Sequence, residues 1–378
     1  MIEMRKRVIL VTNSFYDTRN NKLKIGGLET YVDNLFDVLK ENNHEVRIYQ
    51  LEKGRGNHSY SLLEGNLVVI TTKNYQKAFD KIYINENTSD SVFIICTDQL
   101  DIVSRNDNVI DIQHGIAFDI PIEYMKFSRS RSLGNIVKLL RCLKNKARAK
   151  NSKRTVCVDY NYFNWIRTIY SIDNVKKIKV IPNFSEHISK EEFKEKISKN
   201  RGEAKKILFA RRFVDYRGTL LFAKVAMRII KEFPDVKITF AGEGPLKSEI
   251  YDLFKDEKNI TITSFEAKES INFHKAFDIA VVPTIYSEGT SLALCEAMAS
   301  GCFPIATYVG GLSNIVIDHF NGLLSEPSED AFYLKVKEAL LMDNEKFAKI
   351  VCNAYETICM GFDKSRWANQ WLNCINEI

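Results

Sequence analysis

The chain has 378 residues, 45% of them apolar and 27% charged, the make-up of a folded globular protein whose length predicts two domains. Its formal charge of +6 is uneven: eleven Lys or Arg and no Asp or Glu fall between Tyr124 and Arg154, so the rest is net acidic. An acidic body with one basic segment argues against a nucleic-acid binder that works through diffuse positive charge.

In chain order, Val8–Val11 is a short buried strand after a basic N-terminus, too brief for a signal peptide. Leu28, Val32, Leu35, Phe36 and Leu39 recur with helical spacing and stop at Asn42-Asn43. Further strands are expected at Glu45–Tyr49, Leu67–Thr71, Val92–Thr97, Val109–Gln113, Thr155–Val158 and Lys179–Pro182. Inside the basic segment, Ile136, Leu140, Leu143 and Ala147 share a helical face, and Lys138, Arg141, Lys144, Lys146 and Arg148 take the remainder. Such a helix either lies on an anionic membrane surface or packs its apolar stripe on the first domain.

Ser185–Lys206 is polar and charged and reads as a linker with a helical stretch. The rhythm then restarts with strands at Ile207–Ala210, Val236–Ala241, Ile260–Thr263, Ile279–Pro283 and Phe303–Thr307. The fold class is therefore α/β, with two doubly wound Rossmann-like domains. Residues 1–184 form the first and 207–362 the second, and the aromatic helix 363–378 completes the first. No apolar run is long enough to span a bilayer. The eight cysteines include no C-x-x-C pair and read as buried thiols of a cytoplasmic protein.

Chemistry concentrates in the second half. The segment Gly289–Thr307 carries one charge, Glu296, on an otherwise apolar helix, where a carboxylate needs hydrogen-bond donors such as ligand hydroxyls. Glu288 precedes the helix, and Gly289-Thr290-Ser291 offers amides and a positive dipole end to an anion such as a diphosphate. Treated as one helix, the interval separates the carboxylates by ~12 Å. Arg211, Arg212 and Arg217 follow a strand in ARRFVDYRG, and AGEGP turns from strand to helix through Gly242 and Gly244.

In order, these motifs resemble the retaining nucleotide-sugar glycosyltransferases of family 4, which have the two-domain GT-B architecture. The likeness rests on Glu288-x7-Glu296 within SEGTSLALCEAMASGCFP, with AGEGP and FDIAVVPT ahead and VGGLSNIV and NGLL behind. It implies that Glu288 contacts the donor sugar, that Glu296 holds the ribose hydroxyls, and that the amides of Gly289 to Leu292 with Arg212 and Arg217 neutralise the diphosphate. Gly26 and Gly27 match the family's glycine pair beside substrate phosphates or acceptor, and His114 its active-site histidine. Where the family has Gly-Arg and Lys-Gly, this chain has Arg211-Arg212 and Arg217-Gly218, which keeps the charge but changes its shape.

No D-x-D motif occurs, so metal-independent transfer is expected, with no cofactor and the donor, a UDP-sugar before a GDP-sugar, as substrate. Leaving-group stabilisation would come from protein charges. Glu288 as a covalent nucleophile is a less favoured role. The expected partner is a lipid-linked saccharide in capsule, O-antigen or related surface-glycan synthesis, on the inner face of the cell membrane. A nucleotide-sugar epimerase of the same fold and a silent membrane scaffold are the alternatives.

Overall fold

The computed structural model describes residues 5–24, 26–54, 59–116, 118–120, 131–198 and 205–378. The first four residues, the start of the basic segment (124–130) and 199–204 of the expected linker lie outside them. The chain forms two units: Met1–Phe118, Ile122–Pro182 and Trp367–Ile378 make unit 1, and Asp119–Pro121 with Asn183–Arg366 make unit 2.

In unit 1 the strands are β1 (Arg7–Thr12), β2 (Tyr16–Asp17), β3 (Lys22–Leu23), β4 (Glu45–Lys53), β5 (Ser59–Leu62), β6 (Leu67–Thr72), β7 (Ser91–Ile95), β8 (Val109–Gln113), β9 (Arg154–Cys157) and β10 (Ile178–Val180). Eight of them form one sheet in the order β10-β9-β8-β7-β1-β4-β6-β5, parallel except for β5 at its edge. Val8–Val11 and Val92–Ile95 are wholly buried because helices cover both faces of the central strands, which is why they read as unbroken apolar runs. The edge strand β5 and the small β2–β3 hairpin lack that signal and were not expected from the sequence.

The C-terminal helix Lys364–Asn376 closes this unit. Trp367 and Trp371 are buried against Tyr31 of the helix Gly27–Glu41, and the Trp371 indole N–H donates to the Tyr31 hydroxyl at 2.7 Å.

Unit 2 contributes β11 (Lys206–Ala210), β12 (Lys237–Ala241), β13 (Ile260–Thr263), β14 (Ile279–Val282), β15 (Phe303–Thr307) and β16 (Leu323–Ser325), all parallel, in the order β13-β12-β11-β14-β15-β16. The stretch expected as a linker packs here instead. Ile188 and Phe193 are core residues, Phe193 stacks on Tyr355 at 3.9 Å, and the Tyr355 hydroxyl donates to the Ile188 carbonyl at 2.6 Å. Its charges sit on the outer face of the helix Lys190–Ser198, which hid two apolar anchors from a reading by composition.

The order of strands decides where ligands can go. Connections leave β11 toward β12 and β14 toward β15, in opposite directions along the sheet, so the loops beyond β11 and β14 diverge and leave a crevice at the carboxyl edge. In unit 1 the same reversal falls between β1 and β7.

Candidate functional site

The two diverging loops of unit 2 carry the charged residues. After β11 come Arg211 and Arg212, then a single turn ending at Arg217; after β14 come Thr284 and Glu288. Glu288 is buried, and one carboxylate oxygen accepts from Arg211, from Arg217, and from the Thr284 hydroxyl at 2.9 Å. Arg211 also donates to the Thr284 hydroxyl, so Thr284 receives from the cation and gives to the anion. Burial alone would push the Glu288 carboxyl up, but the two guanidiniums outweigh it and hold it down at about 2. Glu288 is thus ionised at neutral pH, and two cations against one carboxylate leave the cluster with net positive charge.

The arginines divide unequally. Arg211 and Arg217 bind Glu288, while Arg212, expected to share the phosphate role with Arg217, is exposed. The side chain of Arg217 is 26% exposed against 5% for Arg211, so Arg217 is the one whose remaining donors can meet a ligand. Its guanidinium sits 5.0 Å from the Tyr216 ring centre, a cation–π contact that orients it.

The helix bearing Glu296 begins only at Leu292, so the interval from Glu288 is not a helical one and the ~12 Å rise does not apply. Leu294, Cys295, Ala297, Met298 and Ala299 are buried, whereas Leu292, Ala293 and Glu296 form a half-buried stripe. Burial raises the Glu296 carboxyl, with a bond to the Ser270 side chain acting against it. The Ser291 side chain does not cap the helix start. Gly289, Thr290 and Ser291 are buried there, and the Asn183 side-chain amide donates to the Thr290 carbonyl.

The glycines are explained by the protein's own backbone. A Cβ on Gly242 would overlap the Arg211 carbonyl, and one on Gly244 the Phe213 backbone, so both make room for the arginine loop. Backbone bonds from Arg211 N to Ala241 O (3.0 Å) and from Phe213 N to Glu243 O (2.8 Å) seal that contact. Gly310 and Gly311 do the same for the other side: a Cβ on either would collide with the Glu288–Thr290 backbone, and Gly311 N donates to Glu288 O at 3.0 Å. Thr284, Asn183 and Gly310 were missing from the expected site, and Arg211, expected as one of three arginines suited to phosphate, is bound to Glu288. The VGGLSNIV motif was the available signal for Gly310.

Unit 1 holds the remaining expected residues. His114 follows β8, and its Nε2 donates to the Cys96 carbonyl at 2.8 Å, since a carbonyl can only accept. That bond puts the proton on Nε2 and leaves Nδ1 as an acceptor. Burial lowers the imidazole pKa, with the Cys96 bond opposing, so the ring is neutral at pH 7. Tyr31 meets the ring edge-on at 5.2 Å. Gly26 precedes the helix Gly27–Glu41, and the space beside it is taken by the Glu29 carboxylate, which accepts from the Ser14 hydroxyl.

The basic helix spans Arg131–Asn151. Its aliphatic face is turned outward: Ile136, Leu139, Leu140 and Leu143 are 53%, 58%, 60% and 49% exposed. This rules out packing of that stripe on unit 1. Arg148, expected among the membrane-facing cations, is instead buried, 3.3 Å from Asp111 and donating to the Asp98 carbonyl at 2.8 Å. Lys144 pairs with Asp101 while remaining exposed, and Lys138 and Lys146 are half-buried. Among the described residues, no group of three His, Cys, Asp or Glu could hold a metal ion.

Residues 189–357 match the family described as "Glycosyl transferases group 1". The chain is 26% identical over 269 residues to the UDP-Gal:alpha-D-GlcNAc-diphosphoundecaprenol alpha-1,3-galactosyltransferase of Escherichia coli, covering 68% of this chain and 65% of that one. It is 32% identical over 145 residues to a D-inositol 3-phosphate glycosyltransferase of an Arthrobacter strain, covering 36% of this chain and 34% of the relative. The matches thus span between a third and just under two thirds of these relatives' lengths. Among solved structures, sucrose-phosphate synthase of Thermosynechococcus elongatus superposes with a TM-score of 0.71 at 15% identity, covering 98% of this chain and 99% of that one. HepE of Anabaena, solved with UDP-glucose, gives 0.68 at 13% identity, covering 98% and 100%. At such identities the likeness speaks for the fold, which is GT-B: two Rossmann-like domains in tandem.

Proposed function

We propose that the chain is a metal-independent, retaining glycosyltransferase that moves a hexosyl group from a UDP-sugar to a lipid-linked saccharide in surface-polysaccharide assembly. The observation that carries this reading is the cluster of Arg211, Arg217 and Glu288 in the crevice beyond β11 and β14. A departing nucleoside diphosphate gains negative charge as the anomeric carbon–oxygen bond breaks, and a fixed excess of positive charge stabilises that transition state. Arg217 and the start of the helix Leu292–Ala299, with its positive dipole end, are suited to take the diphosphate. Arg211 is committed to Glu288.

Held at about 2, Glu288 cannot act as a general acid. It accepts hydrogen bonds from donor-sugar hydroxyls and stabilises positive charge at the reacting carbon. Attack on the face the leaving group vacates would pass the acceptor hydroxyl's proton to the departing phosphate, giving retention. Two guanidiniums on one carboxylate oxygen disfavour a covalent nucleophile there. The choice of a UDP-sugar and a lipid-linked acceptor is supported by the Escherichia coli relative's name and by the UDP-glucose complex of HepE.

The test is a thermal-shift and donor-hydrolysis screen over UDP-, GDP- and dTDP-sugars. A bound donor should stabilise the chain by about RT ln(1 + [L]/Kd). A UDP-sugar should give the largest shift and slow hydrolysis, and no shift with any donor would sink the reading. Formation of an epimer from donor alone would favour the epimerase.

A further inference from the structure

The helix Arg131–Asn151 sits the wrong way round for a soluble surface. Ile136, Leu139, Leu140, Leu143 and Ala147 fall within an arc of about 100° on the helical wheel, and that arc is exposed. Gly134, Arg148 and Ala149 are on the other side and are buried. The orientation is pinned. Arg148 bonds Asp111 and the Asp98 carbonyl beneath the helix, and the Tyr170 hydroxyl donates to the Lys146 carbonyl. Rolling the aliphatic face inward would break a buried ion pair, which is strongly unfavourable.

We propose that this face docks on an anionic lipid bilayer. The charge pattern selects that occupant. The helix Arg131–Asn151 contains no acid, and Lys144, Lys146 and Lys150 border the aliphatic arc, so two copies meeting through this face would bring like charges together. An anionic headgroup layer is the complementary surface. Arg141 falls on the side of Gly134 and Arg148, but Lys144, ion-paired with Asp101, flanks the aliphatic arc and Lys150 closes its C-terminal end, and both are exposed. Their stems can lie along acyl chains while their charges reach the headgroups. No helix among the described residues is long and apolar enough to cross a membrane, so the fit is to the interface. The inference does not depend on the chemistry of unit 2.

The full-length chain is floated with vesicles of phosphatidylcholine alone and of phosphatidylcholine mixed with phosphatidylglycerol, at low and high salt. It should rise with the mixed vesicles, much less with the neutral ones, and less at high salt. A triple variant, Ile136→Gln, Leu140→Gln and Leu143→Gln, changes exposed positions only. It should lose at least about tenfold in partitioning with an unchanged Tm and unchanged donor binding. Changing Lys144→Gln with Lys150→Gln should weaken binding to mixed vesicles and leave neutral ones unaffected. The proposal falls if wild type ignores mixed vesicles, if the triple variant floats as well as wild type, or if the face proves to mediate oligomers that the triple variant dissolves.

Discussion

The Arg211 guanidinium lies on the Glu288 carboxylate across 77 residues of chain, joining the ends of adjacent strands β11 and β14. The pair is a structural rivet as well as a charge arrangement, and the two roles can be separated. Removing one partner of a buried pair leaves a lone charge and costs about 3–5 kcal/mol. Arg211→Met should therefore lower Tm markedly. Arg217→Met, at the more exposed cation, should cost less stability but reduce donor turnover by about 10²-fold. Unfolding curves and donor hydrolysis measured on both variants check the division.

Thr284 tunes the same pair. Its hydroxyl is wholly buried between Arg211 and Glu288. Thr284→Val keeps the shape and leaves both groups short of a bond, so a loss of about 1–3 kcal/mol is expected. Thr284→Ser should restore most of the turnover. Equal activity in the Val and Ser variants would refute a positioning role.

The acid limb of stability follows from two carboxyls of opposite behaviour. Glu288 titrates at about 2 in the folded chain against an ordinary 4.5, so its stabilisation is full above 4.5 and is lost as pH falls toward 2. Asp111 runs the other way. Burial, against the pull of Arg148, raises it from 3.8 to about 6, so its contribution is full below 3.8 and fades as pH rises through 6. Asp111→Asn should flatten the pH 4–6 part of a urea-stability profile, and Glu288→Gln the part below it. Identical profiles in wild type and both variants would contradict the assignment.

Glycine substitutions should separate sharply by position. Gly218 has φ +79° and a Cβ there would strike the Pro283 carbonyl; Gly310 has φ +56° and would strike that of Glu288. Alanine at either should cost at least about 1–3 kcal/mol, and at Gly310 it should also impair turnover by shifting Glu288. Gly361 has nothing within 4 Å, so alanine there should be neutral or stabilising by up to about 1 kcal/mol. Tm values of the three variants provide the comparison.

Much of this was legible from local pattern. Central strands are buried on both faces, so Val8–Val11 and Ile279–Val282 announce themselves as apolar runs, and Glu288 stands out as a charge beside an apolar helix. What remained hidden depends on contacts distant in sequence. Arg211 and Arg212 are neighbours of one type, and only the loop beyond β14 distinguishes the one that meets Glu288. Gly242 and Gly244 fit a ligand turn and a protein turn equally well until the arginine loop is laid against them. The wheel of the basic helix reveals an apolar stripe but not its direction, because Asp111, which holds Arg148, lies 37 residues away.

The seating of Trp367 and Trp371 on Tyr31 also sets an order of events during synthesis. Unit 1 takes its first strands from the beginning of the chain, yet the aromatic plug over its first helix is made after all of unit 2. Domains ordinarily fold as they emerge, N-terminal first. Here the earlier unit stays unfinished on the ribosome, with the Tyr31 surface bare, until residues 367–375 arrive. The later unit can therefore complete itself first.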